Sequence, residues 1–430
     1  MDSAKHSELA TSASNNVLRH NPPAMQMFGD IPVCGEPVLE NALEQLVNAR
    51  TTCEYAALMA DHHHGYAVPI GGVIASQELI SPSAVGFDIA CGNLASRLDI
   101  SAPEVRKNIK RIMDDIASQI SFGIGRVSGW QIDDPLFEDP LWNEALALKT
   151  VFAKRHAGRS TSTKSLIDVA REQLGTVGSG NHYVDIFVDE CEQVWVGVHF
   201  GSRGFGHNVA SYFLDAAGAN DQDPNALPVQ LHVRSDLGEE YVKCMELAGR
   251  YAYAGREAVV DKVAEILGAH REESVHNHHN YAWRETHGGY DYWVCRKGAT
   301  PAFPGQKGFI GGSMGDDAVI VEGIDSEDSK TLFYSTVHGA GRVMSRSKAT
   351  GKSKWGKTKA EPGIKKEDMQ AWIAACQVEL RGADVDEAPQ AYKRLAEVLP
   401  CQGNTIRILH TLTPIGVAMA GNDISDPYKD

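Results

Sequence analysis

GTVGSGNHYVDIFVDECEQVWVGVHFGSRGFGH, residues 175–207, decides how the rest of the chain is read. The runs His182–Val188 and Val194–Phe200 are rich in β-branched and aromatic residues, as strands are. The polar segment Asp189–Gln193 fits the turn between them, so the stretch predicts a β-hairpin. His182 then opens the first strand and His199 closes the second. Both lie at the open end, where two imidazoles can reach one metal cluster. Gly178–Gly180 and Gly201–Gly206 flank that end, and such loops let backbone N–H groups approach a phosphate closely. Histidines and glycines at one end of a rigid hairpin suggest a metal-assisted phosphate site. The competing reading is a hairpin with two hydrogen-bonded core histidines.

Working outward, the 430 residues allow one large domain or two to three ordinary ones, and 43% hydrophobic residues suffice for a sizeable core. A net charge of −15 argues against coating nucleic acid through bulk charge, so any polyanion site must be a local basic patch. The eight cysteines form no CxxC pair, which fits a reducing cytoplasm better than a disulfide framework. No apolar run approaches the roughly 20 residues of a membrane helix, and MDSAKHSELATSASNN lacks a signal peptide's apolar segment. A cytoplasmic protein is expected. Residues 1–22 read as a mobile polar tail, and 23–430 as one catalytic domain.

Upstream of the hairpin, Glu40–Arg50 has helical spacing. ALMADHHHGYAVPIGGVIA follows at Ala57–Ala75. Strand neighbours point to opposite faces, so His62, His63 and His64 cannot all converge, and Asp61 is the better candidate to face a site. Asp88 and Cys91, three apart in FDIACGN, can bind one metal ion, and a thiolate can bridge two. Ala102–Phe122 reads as an amphipathic helix.

Downstream, helices are expected from His207 and over Glu239–Leu267. If SVHNHHNYAWRETH is helical, His276 and His279 share a face while His278 points elsewhere, and one of them can complete the metal site. Arg296 and Lys297 end a strand-like run, and Ala318–Glu322 is another. In YSTVHGAGRVMSRSK, His338 precedes a tight glycine turn, with Arg342 and Arg346 placed to grip phosphate oxygens. Arg342 to Lys366 holds nine Lys or Arg and one acid, Glu361, and Trp355 within it could stack on a base. A helix over Asp368–Glu379 and a strand over Ile415–Ala420 are expected to close the chain.

FDIACGN, GSGNHYVD, VHFGSRGFGH, HHNYAWRE, RKGATPAF, GGSMG and STVHGAGRVMSR occur in this order, with PQAYK beyond them. Together they resemble the RtcB family of RNA ligases over nearly all of the chain after the tail. The resemblance implies an α+β fold, with central β-sheets, surrounding helices and a deep metal-binding cleft. It implies joining of an RNA 3′-phosphate or 2′,3′-cyclic phosphate end to a 5′-hydroxyl end, in RNA repair or tRNA splicing, with GTP and two manganese ions. Some relatives use an archease-like activating protein.

Carried over by residue, the resemblance has Asp88, Cys91 and His182 hold one ion. Cys91, His199 and His279 hold the second, with Cys91 bridging. It makes His338 the guanylylated catalytic residue. It assigns nucleotide contacts to Asn181, Tyr183, Asp185, Asn280, Ser313, Gly339, Ala340, Gly341 and Tyr392. Asp61, Arg203, Lys297, Arg342 and Arg346 fall near the RNA and phosphates.

A thiolate and three imidazoles would hold zinc more tightly than manganese on intrinsic affinity, so manganese is an implication of the resemblance alone, and zinc can occupy the site. Asp185, Ala318 and Ala420 stand where the family has glutamate, serine and lysine, and altered nucleotide selectivity is expected. The rivals are a metal-dependent phosphoesterase with no nucleotide step and an RNA-end-binding protein without catalysis.

Overall fold

The computed structural model describes residues 25–157, 160–219, 223–351 and 361–421, with 152–157 and 160–163 described by backbone alone. The expected tail, and Lys352, Lys354, Trp355 and Lys357 of the basic segment, lie outside these residues.

The hairpin forms as Tyr183–Asp189 and Gln193–Phe200, paired from Val194 with Val188 to His199 with Tyr183. Asp189 makes its turn: Oδ1 accepts the N–H groups of Cys191 and Gln193 at 2.8 and 2.9 Å, and Oδ2 accepts Trp195 Nε1–H at 2.9 Å. A short acceptor side chain at a strand end is what such a turn needs.

The hairpin is central in an eight-stranded sheet. Gly92–Ser101 and then Arg271–His278 follow on one side. Ile406–Gly421 lies on the other, and its first half pairs with Ala318–Gly323, beyond which runs Lys307–Ile310. Its second half pairs in parallel with Glu379–Ala383. The sheet curls almost into a barrel. Asn93 Nδ2 donates to Phe309 O at 2.8 Å, and Phe309 N donates to Asn277 Oδ1 at 3.0 Å, tying the last strand to the first two.

Strand alternation sorts the side chains. Ala95, Phe187, Trp195, Val275, Phe309, Ile320 and Leu412 pack together inside the curl. Val184, Ile186, Val194, Val196 and Val198 face out, against Val105, Ile112 and Ile116 of the Ala102–Gln119 helix and Val259 and Val263 of the Asp236–Leu267 helix. Gly197 has no side chain because the Phe187 and Phe309 rings fill its place: a Cβ would come within 2.6 Å of one and 2.9 Å of the other.

A six-stranded sheet holds Tyr55–Tyr66, Val68–Ser76, Tyr290–Lys297 and Asn280–His287, with two short strands at one edge. Residues 274–287 are therefore not helical. They form two strands in two different sheets, with His279 alone between them. His276 and His278 share the face turned to the long helix, and His279 stands apart at the junction. The segment has no run of apolar residues at helical spacing, and pairing with Gly92–Ser101 decides it. The helix expected over 368–379 is Lys366–Ala375, and Glu379 starts a strand.

Candidate metal centre and histidine site

Four loops and strand ends meet between the two sheets. Cys91 Sγ, at the end of the loop before Gly92–Ser101, lies 3.7 Å from His182 Nε2 and 3.6 Å from His199 Nε2. Asp88 Oδ2 is 3.1 Å from His182 Nε2. The stacked rings of His199 and His279 have centroids 5.1 Å apart. Two triads result, Asp88–Cys91–His182 and Cys91–His199–His279, each with its donor atoms within 4.8 Å of one another, and Cys91 belongs to both.

The imidazoles are aimed by their other nitrogens. His182 Nδ1 is 3.0 Å from Val177 O, and His199 Nδ1 is 2.6 Å from Asn93 Oδ1. A proton on each Nδ1 leaves the Nε2 lone pair for a metal. Burial holds His199 and His279 well below the usual histidine range, with neighbouring imidazoles adding to it, so both are neutral donors. Burial also pushes the Cys91 thiol up, helped by Asp88, while Asp88 is held below the usual carboxylate range because His182 and Arg203 outweigh its own burial. A thiolate, a carboxylate and neutral imidazoles suit a divalent transition metal. His279 Nδ1 is buried without a protein partner, as a ring that awaits a further ligand would be.

The flanking glycines make room for charged side chains. A Cβ on Gly178 would meet Arg203 Nη2 at 1.9 Å, one on Gly180 would meet Arg346 Nη1 at 2.6 Å, and one on Gly201 would meet Asp88 Oδ1 at 2.1 Å. Each glycine clears a path for a charged side chain. Gly178 has φ +97° besides. Gly178→Ala is expected to cost about 1–2 kcal/mol through its backbone alone and to displace Arg203. A lowered urea midpoint is the check.

His338 follows the short Ser335–Val337 strand, its ring centroid 4.8 Å from that of His279. Asp61 Oδ2 accepts the backbone N–H of His338 at 3.0 Å and of Gly339 at 3.2 Å, and lies 2.6 Å from His338 Nδ1. The three adjacent histidines diverge, as strand geometry requires. His62 Nε2 accepts from Leu39 N at 3.0 Å, His63 Nδ1 lies 3.3 Å from Asp61 O, and His64 Nε2 is 3.1 Å from Asn225 Oδ1.

Residues 42–420 match the family described as tRNA-splicing ligase RtcB. The chain belongs to the RtcB family. It is 32% identical to the RNA-splicing ligase RtcB of Escherichia coli K12 over 406 residues, covering 89% of this chain and 94% of that one. The tRNA-splicing ligase RtcB of Thermococcus kodakarensis is 29% identical over 460 residues, covering 91% and 94%. That of Archaeoglobus fulgidus is 30% identical over 449 residues, covering 88% and 91%.

The five donors that the RtcB resemblance implies thus converge, with Asp61 and His338 beside them. The other positions fall around this centre. Asn181 Nδ2 is 3.3 Å from His199 Nε2, and the Tyr183 ring stacks on His199 at 5.5 Å. Tyr183 Oη and Asp185 Oδ1 are buried without partners, and burial pushes the Asp185 carboxyl well up. Asn280 Oδ1 accepts from Gly298 N at 2.8 Å, and Ser313 Oγ donates to Asp316 Oδ2 at 2.5 Å. Ala340 is buried, and Gly341 wraps closely on Asp61 O. Lys297 Nζ donates to Tyr66 O at 2.5 Å and Ser83 O at 3.1 Å.

Sequence reading missed Glu387. It lies 3.3 Å from Arg342 Nη1 and 3.1 Å from Arg346 Nη2, and it accepts the Tyr392 hydroxyl. It also missed Asn93, which aims His199. Of the departing positions, Ala318 packs in the barrel interior, and alternation puts Ala420 on the Ala418 face, opposite Met419 and Tyr183.

Proposed function

We propose that the chain is an RNA ligase of RNA repair or tRNA splicing. It joins a 3′-phosphate or 2′,3′-cyclic phosphate end to a 5′-hydroxyl end, using GTP and manganese. The observation that carries this reading is a pair of donor triads sharing Cys91, with His338 and Asp61 directly beside His279. The names of the relatives support RNA as the substrate.

Asp88, Cys91 and His182 would hold one ion and Cys91, His199 and His279 the other; bound there, they would neutralise charge on phosphoryl oxygens and align the leaving group. Asp61 beside Nδ1 favours the proton on that nitrogen and leaves the His338 Nε2 lone pair as nucleophile. Nε2 attacks the α-phosphorus of GTP; a P–N bond forms and the P–O bond to pyrophosphate breaks. A 2′,3′-cyclic end first takes up water, which breaks its P–O bond to the 2′-oxygen and leaves a 3′-phosphate; the guanylate passes to that 3′-phosphate, which is a poor electrophile until so activated. The 5′-hydroxyl then attacks, and GMP leaves. Arg203, Lys297, Arg342 and Arg346 hold phosphate oxygens, with Glu387 keeping two of the arginines in place. Asn181, Tyr183, Asp185, Asn280, Ser313, Tyr392 and the 339–341 turn surround the nucleotide. An archease-like protein is a candidate activator. All eight cysteines are free, in keeping with a reducing cytoplasm, and no helix among the described residues is long and apolar enough to cross a membrane.

Intact mass after incubation with GTP and Mn2+ should show one added guanylate, and RNA with a 3′-phosphate, but not a 3′-hydroxyl, should be sealed. Phosphate release with no adduct would turn the reading to a phosphoesterase. Asp185, Ala318 and Ala420 replace a longer acid, a hydroxyl and a charge. Ala318 packs among apolar side chains and Ala420 faces away from Tyr183, which leaves the shortened acid Asp185, on the Tyr183 face, as the change that can reach a nucleotide. Losing one charged hydrogen bond costs about 1.5–3 kcal/mol, roughly ten- to a hundredfold in affinity, so Asp185→Glu is expected to sharpen the preference for GTP over ATP, CTP and UTP in adduct yield.

A further inference from the structure

The 32-residue helix Asp236–Leu267 carries a fully buried arginine, Arg256, in its sheet-facing side. A buried charge is costly unless hydrogen-bonded, and a leucine or methionine would pack there without that cost. Its bonds explain its presence. Nη1 donates to Ala90 O at 3.0 Å and to Phe200 O at 2.5 Å, Nη2 lies 2.9 Å from His278 Nδ1, and Nε donates to His276 Nε2 at 2.7 Å. Ala90, Phe200 and His278 are the chain neighbours of Cys91, His199 and His279. One guanidinium therefore reaches all three segments of one donor triad, from three places far apart in sequence. Ala90 also has φ +59°, a left-handed conformation that persists in a non-glycine residue only where its surroundings hold it. The other triad has a single such link, through Cys91, since Asp88 and His182 adjoin none of these partners.

We propose that Arg256 is the positioning residue of the Cys91–His199–His279 site: it pins the three backbone segments so that their donors converge on one ion. This rests on the reading of those residues as metal ligands. Arg256→Lys keeps the charge but offers one nitrogen in place of three.

The test is Co2+ titration of the full chain in two backgrounds, followed by thiolate-to-cobalt absorption. In His182→Gln, where the Cys91–His199–His279 site remains, Arg256→Lys should weaken Co2+ by about ten- to a hundredfold, the usual effect of removing a group that orients metal ligands. In His279→Gln, where the Asp88–Cys91–His182 site remains, the loss should be under about threefold. A purely structural role would lower the melting temperature and weaken both backgrounds alike, and that outcome, or no effect in the first, overturns the proposal. If Arg256→Lys does not fold, His278→Gln, which removes one partner of the guanidinium, must show the same asymmetry in the same backgrounds or the proposal fails. Wild-type protein that takes up no Co2+ with thiolate absorption refutes the metal reading itself, which separates the two failures.

Discussion

Cys91→Ala is expected to empty both metal sites together and to abolish ligation. The thiolate is the single donor common to the two triads. Without it Asp88 and His182 form one pair and His199 and His279 another, and two donors do not hold a transition ion that needs at least three protein ligands. The fold should survive, because the change removes one buried sulfur from a chain whose main cores lie elsewhere. Metal analysis and ligation by the purified variant check this, with His182→Ala as the contrast that loses one ion. Two ions retained in Cys91→Ala would refute the shared role. The wild-type protein carries a pH signature as well. Burial and Asp88 push the Cys91 thiol above its usual range, so at neutral pH a metal must displace a proton to bind. Affinity should fall by about tenfold for each pH unit lowered, and metal analysis of the wild-type protein across that range checks it.

The central hairpin was legible because alternation and a polar turn are local signals: Tyr183–Asp189 and Gln193–Phe200 pair, each within a residue of the expected run, with Asp189 making the turn. The preference for Asp61 over His62, His63 and His64 rested on strand geometry alone, and the three rings do turn to three different partners. What stayed hidden depends on contacts between distant parts of the chain. Residues 274–287 carry no helical apolar pattern, yet their division between two sheets is set by Gly92–Ser101 and Tyr290–Lys297, which no local reading supplies. Arg256 sits within a helix whose apolar periodicity suggests only core, and its partners at Ala90 and Phe200 are 166 and 56 residues away. The glycines of the flanking loops read in sequence as an approach for a phosphate; that they make room for Arg203, Arg346 and Asp88 is visible only once those side chains are placed. Arg342 and Arg346 read as the start of a basic patch, yet they are joined to an acid, Glu387, more than forty residues downstream.

Asp61→Asn is expected to slow nucleotide transfer to His338 by about a thousand- to ten-thousandfold, as the same change does where an aspartate orients a catalytic histidine, while both metal sites stay filled. Asp61 is fully buried, and one carboxylate oxygen meets His338 Nδ1 at 2.6 Å and the backbone N–H groups of His338 and Gly339 at 3.0 and 3.2 Å. The glycine turn closes around it, since a Cβ on Gly341 would come within 2.1 Å of Asp61 O. An asparagine has the same outline and can put its oxygen in the place of Oδ2, but it loses the charge that holds the proton on Nδ1. The imidazole then has no reason to present Nε2 as a lone pair. Burial pushes the Asp61 carboxyl up, but the His338 ring, its N–H and Lys393 outweigh this and hold it below the usual range. Its stabilising contribution is therefore present above the ordinary aspartate value of about 3.9 and is lost only as pH falls through the lower folded value. Any change of rate near neutrality must therefore come from a group other than Asp61. The measurement is the rate of adduct formation by quenched intact mass between pH 6 and pH 9, with metal content determined on the same samples and His338→Ala as the variant that gains no adduct. A rate within about tenfold of wild type, one step on the transition-state scale, would remove Asp61 from the role of orienting His338.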